Sequence, residues 1–111
     1  MQINIDDFKK IDIRVGTIVR AESFFEARKP AIKIWIDFGS EIGEKKTSAQ
    51  IANHYDQHTL PGRQIVAVVN LPSRQIGNFM SEVLLLGFQN FNKEVILIKP
   101  DEMVPNRRKL Y

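Results

Sequence analysis

The chain has 111 residues, 43% hydrophobic and 26% charged, with a formal net charge of +3, which fits one globular domain spanning 1–111 and excludes a disordered chain. Cysteine is absent, which excludes disulfides, thiolate metal sites and cysteine nucleophiles and suits a reducing, cytoplasmic setting. There is no run of about 18 apolar residues and no basic-then-apolar layout in Met1 to Asp7, so neither membrane insertion nor a secretory leader is expected.

In chain order, Asp6 or Asp7 is placed to cap a short helical turn through Phe8, Lys9 and Lys10. The first strand follows and runs to about Glu22. Ile11, Ile13, Val15 and Val19 take odd positions, Asp12, Arg14 and Arg20 even ones, and Ile18 is out of phase. A side-chain period of two directs the odd set inward and the charged set outward. Ser23 to Pro30 is a polar connection, because proline cannot donate to a ladder. The second strand is the clearest: Ile32, Ile34, Ile36 and Phe38 alternate with Lys33, Trp35 and Asp37. Gly39 and Gly43 bracket a turn. A third strand, about Lys45 to Ile51, places Lys46, Ser48 and Gln50 on one face and Thr47, Ala49 and Ile51 on the other.

Ala52 to Leu60 reads as a short helix or irregular turn, and Pro61-Gly62 as a turn. Gln64 to Asn70 is strongly β-forming and apolar on both faces, and Leu71 to Met80 reads as a loop. Val83 to Leu86 and Val95 to Ile98 complete the strands, with Gly87 to Lys93 connecting them. Five or six short strands without a long helix suggest an all-β barrel or sandwich. At this length the first choice is a five-stranded Greek-key barrel of the oligonucleotide/oligosaccharide-binding (OB-fold) type, with short helical turns and terminal extensions.

The residues give no catalytic constellation, and no enzyme is expected. Ser48, Ser73 and Ser81 lie outside any Gly-x-Ser-x-Gly elbow, and no phosphate-cradling glycine loop occurs. His54 and His58 are four apart but lack a third ligand for zinc, so no metal or cofactor is expected. Basic residues group at Lys9-Lys10, at Arg28-Lys29 with Lys33, at Lys45-Lys46 and at Arg107-Arg108-Lys109. Lys33 and Trp35 project together from the second strand, a pairing used to stack bases and meet phosphates; burial under a loop or a second subunit is the competing fate of such a tryptophan. The stretch from Asn70 to Glu82 collects Asn70, Ser73, Arg74, Gln75, Asn78 and Ser81 between apolar strands, where arginine can grip phosphate and amides can read base edges. Asn70 and Ser81 are equally placed to tie the loop ends by hydrogen bonds.

Asp12-Ile13-Arg14-Val15-Gly16-Thr17-Ile18 resembles the opening signature of the tRNA-binding domain found at the C-terminus of many methionyl-tRNA synthetases, in free-standing tRNA-binding proteins and in cytokine-like synthetase cofactors. Supporting segments run in order along the chain: Glu26 to Lys33, Ile36 to Gly43, Ser48-Ala49-Gln50-Ile51 with Tyr55, Val68 to Pro72, and Ser81 to Gly87. More narrowly, the chain is similar to a free-standing bacterial and archaeal branch described as export-related chaperones. The resemblance implies an OB-type barrel acting as a non-enzymatic homodimer that binds tRNA by its shape and outer corner. For the narrower branch it implies unfolded or exported precursor proteins as partners. The RNA-binding residues carried over are Arg14, Lys33, Ser48, Gln50, Asn70, Arg74 and Ser81. The alternative peptide groove would use Phe24, Phe25, Trp35, Ile76, Phe79 and Met80. Ile3, Ile5, Phe8, Met103, Val104 and Leu110 are candidates for the dimer seam. Glu82-Val83-Leu84 stands where the synthetase branch usually has x-Gly-Met, which puts a negative charge beside the RNA surface. Arg107-Arg108 stands where the free-standing branch often has glycines.

Overall fold

The computed structural model describes residues 1–111. Helix α1 (Ile5–Lys9) opens the chain. Its cap is Asn4, not Asp6 or Asp7. The Asn4 side chain accepts from the Asp7 N–H at 2.8 Å, and the Asp7 carboxylate accepts from the Asn4 N–H. This reciprocal box leaves Asp6 and Asp7 in the first turn, where the helix dipole favours negative charge.

The strands are β1 (Ile13–Phe24), β2 (Ala31–Asp37), β3 (Glu44–Ala49), β4 (Gln64–Val68), β5 (Arg74–Ile76), β6 (Phe79–Ser81), β7 (Leu84–Leu85), β8 (Gly87–Gln89) and β9 (Val95–Leu97). Five form an antiparallel sheet in the order β3-β2-β1-β4-β7, and β5-β6 and β8-β9 are hairpins. The sheet curls until its ends meet: Glu82 N–H donates to the Lys46 carbonyl, and the Thr47 hydroxyl to the Val83 carbonyl, both at 2.8 Å. The result is the expected all-β, OB-like barrel.

Its interior holds Ile32, Ile34, Ile36 and Phe38 from β2 and the residue after it, with Ile18, Leu60, Ile65, Ala67 and Val83. The alternation read in β2 is therefore correct, as is the inward set of β3, where Thr47 is buried and Lys46 and Ser48 face out. Gly39 and Gly43 both take left-handed φ at the β2–β3 turn, as two bracketing glycines should.

The inward set of β1 differs from the odd-residue expectation. Pairing passes from Ile18↔Ile36 to Arg20↔Trp35, so Val19 is an extra, bulged residue and is exposed. The core-facing positions before the bulge are Gly16 and Ile18. A Cβ on Gly16 would lie 2.6 Å from Ile36 Cγ2 and 2.8 Å from Phe38 Cδ1. Ile13 and Val15 sit outside this core and are buried by the C-terminal segment, whose Arg107 and Leu110 N–H groups donate to the Val15 and Ile13 carbonyls at 2.8 Å. Ile11 is exposed.

Residues 52–60 form irregular turns, one of the two forms expected there. Two further stretches differ. Residues 87–93 include β8 rather than a plain connection, and 71–80 is not a loop throughout but contains the β5–β6 hairpin. That hairpin is held by burial of Phe79 against Phe24 and Trp35, with ring centroids 5.7 and 5.9 Å away. Its polar local sequence gives no hint of this long-range contact.

Candidate nucleic-acid interface

The outer face of β1, β2 and β3 is built by cross-strand neighbours. Arg20 lies beside Trp35, Trp35 beside Lys46, and Lys33 beside Ser48. The aromatic rings on this face are already engaged. Phe24 and Phe79 are buried together, with Trp35 and Ile76 packed on them. Cations cap the cluster: Arg20 stands 4.3 Å from the Trp35 centroid, Lys33 4.8 Å from Phe24 and 5.3 Å from Phe79, and Lys46 5.2 Å from Phe79. Trp35 thus has a guanidinium over its ring and packs edge-on with Phe79. Of the six residues read as a peptide groove, only Phe25 and Met80 are exposed; the other four pack into this cluster.

Beside the cluster lies a cleft of about 790 Å³. One wall is the β1–β2 loop, with Arg28 and Lys29, and the opposite wall is the β5–β6 hairpin, with Arg74 and Gln75. Ser48, Gln50, Ser81 and Glu82 line it from β3 and the barrel seam. In OB barrels the β2–β3 face and its bordering loops are where oligonucleotides bind.

The structure therefore brings four of the seven predicted RNA residues, Ser48, Gln50, Arg74 and Ser81, to one cleft. Lys33 neighbours it on β2, paired with Ser48. Arg28, Lys29, Lys33 and Arg74 make no ion pair and no side-chain hydrogen bond within the chain, so their charges are free for a ligand. Ser81 is partly spoken for: its hydroxyl lies 2.7 Å from that of Thr47 and accepts from the Ser48 N–H.

Arg14 and Asn70 lie elsewhere. Arg14 Nε meets Asp12 Oδ1 at 2.5 Å, and its Nη1 donates to the Arg107 carbonyl at 3.1 Å. The hydrogen bond from Arg14 is the largest influence on Asp12 and holds its carboxyl below the ordinary value of 3.8, against an opposing effect of burial. The Asn70 side chain accepts from the Asp12 N–H at 2.9 Å and donates to the Lys10 carbonyl at 2.7 Å. Both residues anchor the terminal segments on β1.

Arg28 and Lys29 are cleft residues absent from the predicted set. Their signal was present as a basic pair close to Lys33, but a polar loop alone does not reveal that it faces a hairpin fifty residues away. The two histidines stay apart from any site. His54 lies 3.6 Å from Glu94, and no three His, Cys, Asp or Glu side chains gather as a metal site.

A curled antiparallel sheet of OB-like barrel form, with unpaired cations around a cleft on its β2–β3 side, is an oligonucleotide-binding type of module. Residues 13–109 match the family described as "Putative tRNA binding domain", and the chain belongs to that family. It is 46% identical to the chaperone CsaA of Bacillus anthracis str. Ames, at a TM-score of 0.93, with 100% of both chains covered. It is 48% identical to the CsaA chaperone protein of Picrophilus torridus, at a TM-score of 0.91, over 99% of this chain and 100% of that one. The methionine–tRNA ligase of Chlorobium chlorochromatii is 33% identical over 98 residues, 88% of this chain. The chain spans only 14% of that enzyme's length. No helix is long and apolar enough to cross a membrane.

Proposed function

We propose that this chain is a non-enzymatic, cytoplasmic, homodimeric tRNA-binding protein that recognises its RNA by shape and phosphate contacts. The observation that carries the proposal is the cleft between the β1–β2 loop and the β5–β6 hairpin, where cations without partners stand over hydrogen-bonding side chains. Arg28, Lys29, Lys33 and Arg74 position the RNA backbone, and Ser48 and Gln50 add hydrogen bonds. Membership of a tRNA-binding family supports RNA as the polyanion. The engaged state of Phe24, Trp35 and Phe79 supports backbone contacts over base stacking on the sheet.

The dimer rests on apolar surface away from the cleft. Ile3, Ile5, Phe8, Met103, Val104 and Leu110 are all exposed, and Val104 and Leu110 also line an apolar groove with Ile13, Val15, Val66 and Ile98. A C2 pairing through this surface presents two clefts to one RNA and raises avidity. The test is a gel-shift titration of tRNA against salt. The expected result is retention at low salt, with log affinity falling linearly in log salt at about 0.7 to 0.9 per phosphate contact. No retention of any tRNA at low salt overturns the proposal.

Binding of unfolded or precursor polypeptides is the second reading, favoured by the name chaperone carried by the two CsaA relatives. On this chain it would rest on the exposed Phe25 and Met80 rather than on an open six-residue groove. Apolar binding of that kind holds or strengthens as salt rises, the opposite of the RNA behaviour.

A further inference from the structure

We infer that the cleft receives an unpaired nucleotide and that Glu82 selects a base carrying an exocyclic amino group. This rests on the RNA-binding reading and says which part of an RNA the cleft takes. A volume of about 790 Å³ is the scale of a small-ligand site.

The cleft is not a plain phosphate site, because a carboxylate lies in its lining. Glu82 is held from both sides by one residue of β3. Its N–H donates to the Lys46 carbonyl at 2.8 Å, and its Oε1 accepts from the Lys46 N–H at 3.0 Å. Its other oxygen has no partner within the chain. A half-buried carboxylate with a fixed orientation is an acceptor only; it repels phosphate and pairs with an N–H donor. Glu26, the second carboxylate of the lining, lies on the exposed loop without such a tether.

The bases differ in what they offer Glu82. Cytosine presents its N4 amino group and adenine its N6 amino group, whereas uracil presents the O4 acceptor in the place of the cytosine amine. Uracil therefore sets one acceptor against another at close range. Gln50 lies in the same lining with its amide unpartnered and free to contact the rest of the base edge. Arg28, Lys29 and Arg74 stand on the walls, where the phosphates on either side of that nucleotide would run.

The experiment compares labelled rC6 and rU6 by fluorescence anisotropy, beside tRNA. The hexamers have equal charge and length, so the counterion contribution cancels. The wild-type protein should bind rC6 about tenfold more tightly than rU6. In Glu82→Gln the amide oxygen stays on the Lys46 N–H and turns the NH₂ into the cleft; the preference should reverse towards rU6 with tRNA still retained. Equal affinity for the hexamers, or no binding of either while tRNA is bound, overturns the inference and leaves the tRNA reading intact. An unchanged preference in the variant overturns the role of Glu82. Displacement of rC6 by an equimolar aspartate-rich peptide overturns it in favour of an acidic polypeptide. Loss of tRNA binding in the wild-type protein overturns the underlying reading instead.

Discussion

Replacing Lys33 and Arg74 together by alanine tests the interface at its β2 flank and at its β5–β6 wall. Neither side chain is in an ion pair, so each deletion removes at most one phosphate contact per protomer. The slope of log affinity against log salt should flatten by about 1.4 to 1.8 for one protomer, and by about 3 where both clefts meet one RNA. Between about 50 and 200 mM salt, the affinity lost on adding salt should then shrink roughly tenfold per protomer. The barrel should survive, since Lys33 contributes only cation–π contacts of about 0.5 to 1 kcal/mol to Phe24 and Phe79, and Arg74 is exposed. Filter binding at a series of salt concentrations reads the slope, and thermal melting checks the fold. A folded double variant with the wild-type slope refutes the placement. Asn70→Ala is the contrasting variant. Its side chain bridges Asp12 and Lys10, so it should lose about 1 kcal/mol of stability and keep the slope. A flattened slope there would return Asn70 to the RNA surface.

Gly16→Ala should destabilise the protein by about 1 to 3 kcal/mol, because its methyl group would intrude on the fully buried Ile36 and Phe38; a urea midpoint equal to wild type would refute this. Asp12→Asn should lower the melting temperature at neutral pH. Arg14 depresses the folded carboxyl below 3.8, so its contribution is complete above that pH and fades as pH falls through the lower folded value. The gap between variant and wild type should therefore close in acid, and a gap independent of pH counts against the pairing. Ile5→Asp places a charge on an exposed apolar position of α1 without disturbing a core contact. Sedimentation at micromolar concentration should shift from dimer mass to monomer mass; a monomeric wild type or a dimeric variant would refute the seam.

The barrel was legible where burial is one-sided. β2 reads as strict alternation because one face meets the core and the other the outer surface, and β3 follows because its polar row opposes the outer row of β2. In β1 the odd-residue expectation fails for two physical reasons. The bulge at Val19 shifts the alternation, and the C-terminal segment buries a second apolar row that a period-two reading assigns to the core. The β5–β6 hairpin was hidden because Phe79 finds Phe24 and Trp35 only in three dimensions. The capping of α1 is legible in kind but displaced by two or three residues, since three polar residues in that stretch, Asn4, Asp6 and Asp7, can cap.

The site divides along the same line. Arg14, Asn70 and Ser81 belong to the segments by which the family is recognised, and each spends its hydrogen bonds on the chain itself. They join β1 to the terminal segments and β6 to β3, so they set the shape of the barrel. The cations that remain free stand at its edges, in the β1–β2 loop, on the outer face of β2 and on β5. A charge engaged by a neighbouring carboxylate or carbonyl has less to offer a phosphate, whereas a solvated lysine or arginine loses little by exchanging water for one. In this domain Arg14, Asn70 and Ser81 therefore hold the scaffold. In the proposed mode of binding, affinity for RNA falls to Arg28, Lys29, Lys33 and Arg74, of which only Arg74 lies outside the segments that carry the family resemblance. In the same proposed mode, discrimination among RNAs falls to Glu82, the carboxylate of the cleft that Lys46 fixes in place.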